Sequence, residues 1–132
     1  MNFRIAVLMA AVFFSPFSFA ANGHAKNITG IYSNLHYVGD SGDLVGTELV
    51  IVPAEKDYKV FFQLSEGGFP FTALATLKVK GSEIEFTLPP GGDYGGMRFK
   101  GTIKGNDLTL HPVLPSGDGM DETLKRGKSY WQ

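Results

Sequence analysis

Apolar and polar residues alternate one for one along most of the chain. In "FTALATLKVK" Phe71, Ala73, Ala75, Leu77 and Val79 share one face, and Thr72, Thr76, Lys78 and Lys80 share the other. "EIEFTL" sets Ile84, Phe86 and Leu88 against Glu83, Glu85 and Thr87, and "MRFKGTIK" sets Met97, Phe99, Gly101 and Ile103 against Arg98, Lys100, Thr102 and Lys104. Two is the side-chain period of a strand, and a strand with one wet and one dry face belongs to an antiparallel sheet. No window carries a persuasive helical period. The expected chain is all-β, with eight strands near 27–37, 44–52, 57–64, 71–80, 83–88, 97–104, 107–111 and 122–131.

The links between these strands sort by length. "PAEKD", "KGS" and "KGND" are hairpin-like turns, whereas "VGDSGD", "SEGGFP", "PPGGDYGG" and "PVLPSGDGM" are longer and glycine-rich. Short and long links alternate, so in an up-and-down meander every short turn falls at one end of the sheet and every long loop at the other. A Greek-key β-sandwich, the alternative, needs a long crossing connection and would not sort this way. Closing the meander by pairing the last strand with the first removes both exposed edges. The expected fold is a single antiparallel up-and-down β-barrel of about eight strands.

The first residues, "MNFRIAVLMAAVFFSPFSFAANGHA", place one cation, Arg4, before an apolar run that ends in the small-x-small pattern "SFA". This reads as a signal peptide cut after Ala20, which makes residues 1–20 a leader and 21–132 one barrel domain in the periplasm or outside the cell. The run is short for the roughly 20 residues of a membrane helix. The chain has no cysteine, so its stability rests on a hydrophobic core with no disulfides. Loss of Arg4 leaves 11 of the 12 cations against 13 acids, a net charge of −2. That balance argues against a nucleic-acid partner.

The chain ends "LKRGKSYWQ", with its one tryptophan next to last. If the last strand closes the barrel, Arg126 lies inward near Tyr32, stacks on that ring and plugs the short-turn end, with Trp131 covering the other face or the floor. "GIY" at Gly30 to Tyr32, with Arg126 on the final strand, resembles the calycin arrangement of lipocalins and avidins, in which Gly-x-Trp opens the first strand and a basic residue from the last strand packs across the aromatic. Here tyrosine stands in place of tryptophan. The resemblance implies a small secreted barrel, and it carries no ligand-binding residue over to this chain. Outer-membrane barrels also end on aromatics, but the outward faces here carry Lys78, Lys80, Glu83, Glu85, Arg98 and Lys100, which lipid would not tolerate. The barrel is expected not to be embedded in a membrane.

The long loops hold Asp40, Asp43, Glu66, Asp93, Asp118, Asp121 and Glu122 and no lysine or arginine, whereas Lys56, Lys80 and Lys104 lie among the turns at the opposite end. A one-signed rim attracts a cationic ligand or a basic protein. Phe69, Phe71 and Tyr94 lie on the same rim. The simplest place for the phenylalanines is folded into the mouth as a cap, while Tyr94, ringed by glycine, is suited either to capping or to contact. "DSGDLVGTE" and "SGDGMDE" lack EF-hand spacing. His24, His36 and His111 are scattered, although a cut after Ala21 would leave an Asn-Gly-His terminus suited to copper or nickel. No metal, cofactor or catalytic set is expected: there is no GxSxG elbow, no cysteine nucleophile and no HExxH.

These features imply a non-enzymatic binding protein. Its ligand is a small apolar or amphipathic molecule held at the long-loop end, or its acidic rim docks a basic protein; an enzyme without a recognised catalytic motif is the third alternative. Bulky inward residues such as Phe62, Phe86 and Phe99 argue for a filled barrel, while Gly101, Ala73 and Ala75 argue for space at one level. "ELVIVP" carries apolar residues on both faces, so a loop or a second copy of the chain, as in a homodimer, is expected to cover that outer wall.

Overall fold

A computed structural model describes residues 27–117 and 119–132. The leader, its cleavage near Ala20 and the Asn-Gly-His segment lie outside the described residues, as does Asp118. The strands are β1 (Gly30–Ser33), β2 (His36–Val38), β3 (Asp43–Pro53), β4 (Tyr58–Glu66), β5 (Phe71–Lys80), β6 (Glu83–Thr87), β7 (Arg98–Lys104), β8 (Asp107–Val113) and β9 (Glu122–Gly127). Every neighbour pair is antiparallel, and β1 pairs with both β3 and β9, so one sheet closes into an eight-stranded barrel with one extra strand.

The extra strand arises because the expected first strand is broken in two. Both pieces face β3 in one continuous register, with Ser33 opposite Glu48 and His36 opposite Val45. At the break, the Thr47 N–H donates to Asn34 Oδ1 at 2.6 Å, while the Asn34 N–H donates to the Thr47 carbonyl at 3.0 Å. A side-chain oxygen has replaced a main-chain acceptor. This approach needs Gly46, whose φ is 117° and whose Cβ, if present, would stand 2.6 Å from Asn34 Oδ1.

Alternation places the core inside. Tyr32, Leu49, Ile51, Val60, Phe62, Leu77, Ile84, Phe86, Leu108, Leu110 and Leu124 are buried, with Phe99 and Ile103 nearly so. Eight strands leave an interior just wide enough for side chains to fill. A connected set of rings fills this one: Phe62 packs on Phe86 and Phe99 at 5.9 and 5.0 Å between centroids, and Phe86 stacks on Phe99 at 5.1 Å. The space expected at Gly101 is occupied, since a Cβ there would meet Leu108 Cδ1 at 2.9 Å and Ile84 Cγ1 at 3.0 Å.

The bottom closes through Tyr32 and Arg126, which stand directly opposite on β1 and β9. The guanidinium carbon lies 5.0 Å from the Tyr32 ring centroid, Arg126 Nε donates to the Tyr32 hydroxyl at 3.0 Å, and Nη2 donates to that hydroxyl and to the Asn27 carbonyl. The hydroxyl in turn donates to the Ile28 carbonyl at 3.0 Å. Gly30, with φ 138°, lies against the Arg126 side chain, whose Nε would be 3.7 Å from a Cβ.

The last strand is shorter than its alternation suggests. It stops at Gly127, and residues 128–132 leave the barrel and cross the outside of β3 and β4. Trp131 therefore does not cover the floor. Its indole N–H donates to Gln63 Oε1 at 2.8 Å on the outer wall.

The ladder of β5 is divided. Residues 71–77 pair with β4, and only Lys78, Val79 and Lys80 pair with β6. Above Lys78 and Glu85 no strand pair joins β5 to β6 among the described residues, and a slot of about 410 Å³ lies between Leu74, Ala75 and Thr76 on one side and Phe86, Thr87 and Pro89 on the other.

Candidate functional site

The mouth is built from the long loops, and the structure separates its predicted residues into three groups. Phe71 folds inward, 6.5 Å from Phe62, and Tyr94 sits edge-on to it at 5.2 Å. The Tyr94 hydroxyl donates to Glu66 Oε2 at 2.5 Å. The loop between β6 and β7 is thus latched to the end of β4, and the ring that glycine flanks is part of the cap. Hydrogen bonding to the Glu66 carboxylate, with lesser contributions from burial and from the charges of Glu66 and Asp93, pushes the Tyr94 hydroxyl pKa up to about 12.

A second group consists of acids engaged inside the molecule. Glu122 points into the mouth, where its Oε2 accepts from the buried Thr47 hydroxyl at 2.8 Å and ties β9 to β3. Asp121 Oδ1 lies 2.6 Å from His111 Nδ1, so the N–H on that nitrogen donates to the carboxylate. Both members of this pair are exposed and lack the enclosure that acid–base catalysis uses. Among the described residues no three histidine, aspartate or glutamate side chains converge as a metal cage requires.

The third group faces solvent. Asp40 and Asp93 are exposed, Asp43 is half-buried at the start of β3, and Phe69 is fully exposed. Phe69 does not fold into the mouth; Phe71 already fills the position next to the core, and Gly67 and Gly68 turn the loop tip outward.

A second surface was only partly legible. On the outer wall of β3, β4 and β5, Val50, Phe61 and Leu74 stand in one cross-strand row. Phe61 and Leu74 are 39% and 61% exposed, and Val52, Tyr130 and Trp131 add further exposed apolar area on or beside this wall. The C-terminal residues partly cover it. Glu48 points outward yet is buried, with its Oε1 accepting from the Ser129 hydroxyl at 2.6 Å and its Oε2 from the Tyr130 N–H at 2.9 Å. The cover expected over "ELVIVP" is thus supplied in part by the chain's own terminus. The double-faced "ELVIVP" signalled the wall, whereas nothing in the sequence identifies Glu48 as the anchor.

The wall of β5 to β8 is charged instead. Lys78, Glu85, Lys100 and His111 form one cross-strand row along a shallow groove, with Glu85 between the two lysines. Among the described residues no helix is long and apolar enough to cross a membrane. No protein-family model, curated protein or solved structure matches the chain.

Proposed function

We propose that this chain is an exported, non-enzymatic binding protein that recognises a protein partner on its exterior and does not carry a small molecule in its lumen. The observation that supports this reading most is the continuous packing of Phe62, Phe86, Phe99, Phe71 and Tyr94 from the middle of the barrel to its mouth. A carrier of apolar molecules needs that volume empty. A surface binder needs exposed apolar anchors, and five of the large exposed hydrophobics, Val52, Phe61, Leu74, Tyr130 and Trp131, lie on or beside one wall. The acids Asp40, Glu66 and Asp93 at the adjoining mouth favour a basic partner by steering its approach.

The pairing of Gly30 and Tyr32 with Arg126 supports a calycin-like origin, on which a filled barrel has kept the closing device without the ligand cavity. Native mass spectrometry of the protein purified from an extracytoplasmic fraction tests the reading. The expected spectrum shows the cleaved chain bare or bound to another protein; a reproducible adduct of small-molecule mass overturns it.

A further inference from the structure

Among the described residues the wall is interrupted between β5 and β6, and this interruption has the chemistry of a strand-binding site. Lys80 and Glu83 close a two-residue turn, so they exchange both main-chain hydrogen bonds, and by antiparallel alternation Lys78 does the same with Glu85. Continuing that alternation up β5, the main chains of Thr76, Leu74 and Thr72 face β6, while those of Ala73, Ala75 and Leu77 face β4. The β4 side is paired throughout, but the β6 side has no strand partner beyond Lys78. On the other bank Leu88 continues the β6–β7 ladder, its N–H donating to the Met97 carbonyl at 2.8 Å and its carbonyl accepting from the Gly96 N–H, and Pro89, whose main chain is the next after Thr87 to face β5, has no N–H.

From this arrangement we infer that the slot between β5 and β6 receives an extended segment of a partner protein, which pairs by its main chain with Thr72, Leu74 and Thr76. This inference rests on the proposed exterior recognition of a protein and names the place and the kind of segment. An unpaired strand edge selects polypeptide, because only another extended main chain offers donors and acceptors at the matching spacing. The banks define its side chains. Phe71–Leu77 and Phe86–Pro89 carry no charge, and the one ion-capable pair, Lys78 and Glu85, lies at the closed end.

Charge sets its direction. The two loops at the mouth end of the slot hold Glu66 and Asp93 and are bridged there by the Tyr94 hydroxyl, so the guest enters from the outer face of the wall with its basic residues toward this end. A second intact copy of this chain does not fit by its own β5, since the β4 paired to that strand would occupy the place of β6.

The sequence of β5 supplies a probe. "FTALATL" reads nearly the same in both directions about Leu74, so a synthetic peptide with the sequence of Phe71–Lys80 can pair antiparallel with β5 in the slot, Thr opposite Thr and Ala opposite Ala. In that register its two lysines lie at the mouth end, toward Glu66 and Asp93. Residue-resolved amide exchange on the intact protein is expected to show Thr72, Leu74 and Thr76 exchanging at least tenfold faster than Ala73, Ala75 and Leu77. The peptide should slow the first three at least tenfold, and the same peptide N-methylated at its central leucine should not.

Equal protection of the two sets in the free protein overturns the inference, because the ladder is then continuous. A peptide that leaves exchange unchanged, or a methylated peptide that acts equally well, also overturns it. So does a protein dimer that the peptide dissociates, which would make the guest a second copy. The peptide test is independent of the purified protein's mass, so a small-molecule adduct would remove the functional reading while leaving the slot to be judged by exchange alone.

Discussion

Two seams of this barrel have equally short ladders and opposite character. β1 and β9 come from the two ends of the described chain and share three pairs; β5 and β6 are joined by a two-residue turn and also share three. The distant seam is tight, with Tyr32 fully buried and Arg126 lying across it. The local seam opens into a slot. Nearness in sequence therefore does not decide which part of the wall is closed. What decides it is whether side chains cross the seam with their hydrogen bonds satisfied.

The largest test of this difference is Arg126→Ala. It removes charge-assisted bonds to the Tyr32 hydroxyl and the Asn27 carbonyl together with the cation over the ring, and should cost about 3 kcal/mol. For a domain of this size the melting temperature should fall by on the order of 10–20 °C. Arg126→Lys should recover less than half, because an ammonium cannot reproduce the planar fork. A melting temperature within a few degrees of the parent for Arg126→Ala would mean that the ladder alone holds the distant seam.

This seam is also the part of the fold that the sequence announced most fully. Alternation identified the inward Tyr32 and Arg126, and link lengths put them at the short-turn end. The end of the expected strand misled, because Lys128 to Trp131 carry large aromatics of the kind strands bury while crossing the outside of β3 and β4. Pattern reports which residues are apolar, and it is silent on which apolar surface they cover. Similarly, "KGS" predicts a paired β5–β6 hairpin; that its ladder stops after Lys78 and Glu85 is not encoded in the alternation, and Pro89, which has no N–H, is the local sign of it. At the mouth, the loop acids were legible as residues, but their hydrogen bonds to Tyr94, Thr47 and His111 depend on contacts 28, 75 and 10 residues apart.

The C-terminal segment offers a second, smaller test, since it too closes a surface by side-chain bonds. Glu48→Ala removes the acceptors for Ser129 and Tyr130 and should cost about 1–2 kcal/mol. Because Trp131 is the single tryptophan, its fluorescence reads the segment directly. Release should raise its quenching by iodide while the barrel's circular dichroism is retained. Unchanged quenching would mean that the Trp131 bond to Gln63 holds the terminus alone.

A smaller effect is expected at the mouth latch. With its pKa pushed up to about 12, Tyr94 should be among the last tyrosines to ionise in an absorbance titration, above the usual value of about 10. The sign follows from the raised folded value: the latch contributes its full stability below pH 10 and loses it as pH rises through about 12. Tyr94→Phe should delete the late step from the titration, and Glu66→Gln should move it back toward 10. A late step that survives Tyr94→Phe belongs to another tyrosine.

The smallest effect is expected at the open seam, and it completes the contrast. Glu85 stands opposite Lys78 in the β5–β6 pair farthest from the turn, and its Oε1 lies 3.7 Å from Nε of Arg98 on β7, with both side chains exposed. Exposed ion pairs of this kind contribute less than about 1 kcal/mol, so Glu85→Ala should shift the melting temperature by only a few degrees. The two seams would then differ severalfold in what a single charged side chain contributes, at equal ladder length. A loss at Glu85 as large as that at Arg126 would show that a charged side chain holds the wall beside the slot as firmly as Arg126 holds the distant seam, and the contrast would fail.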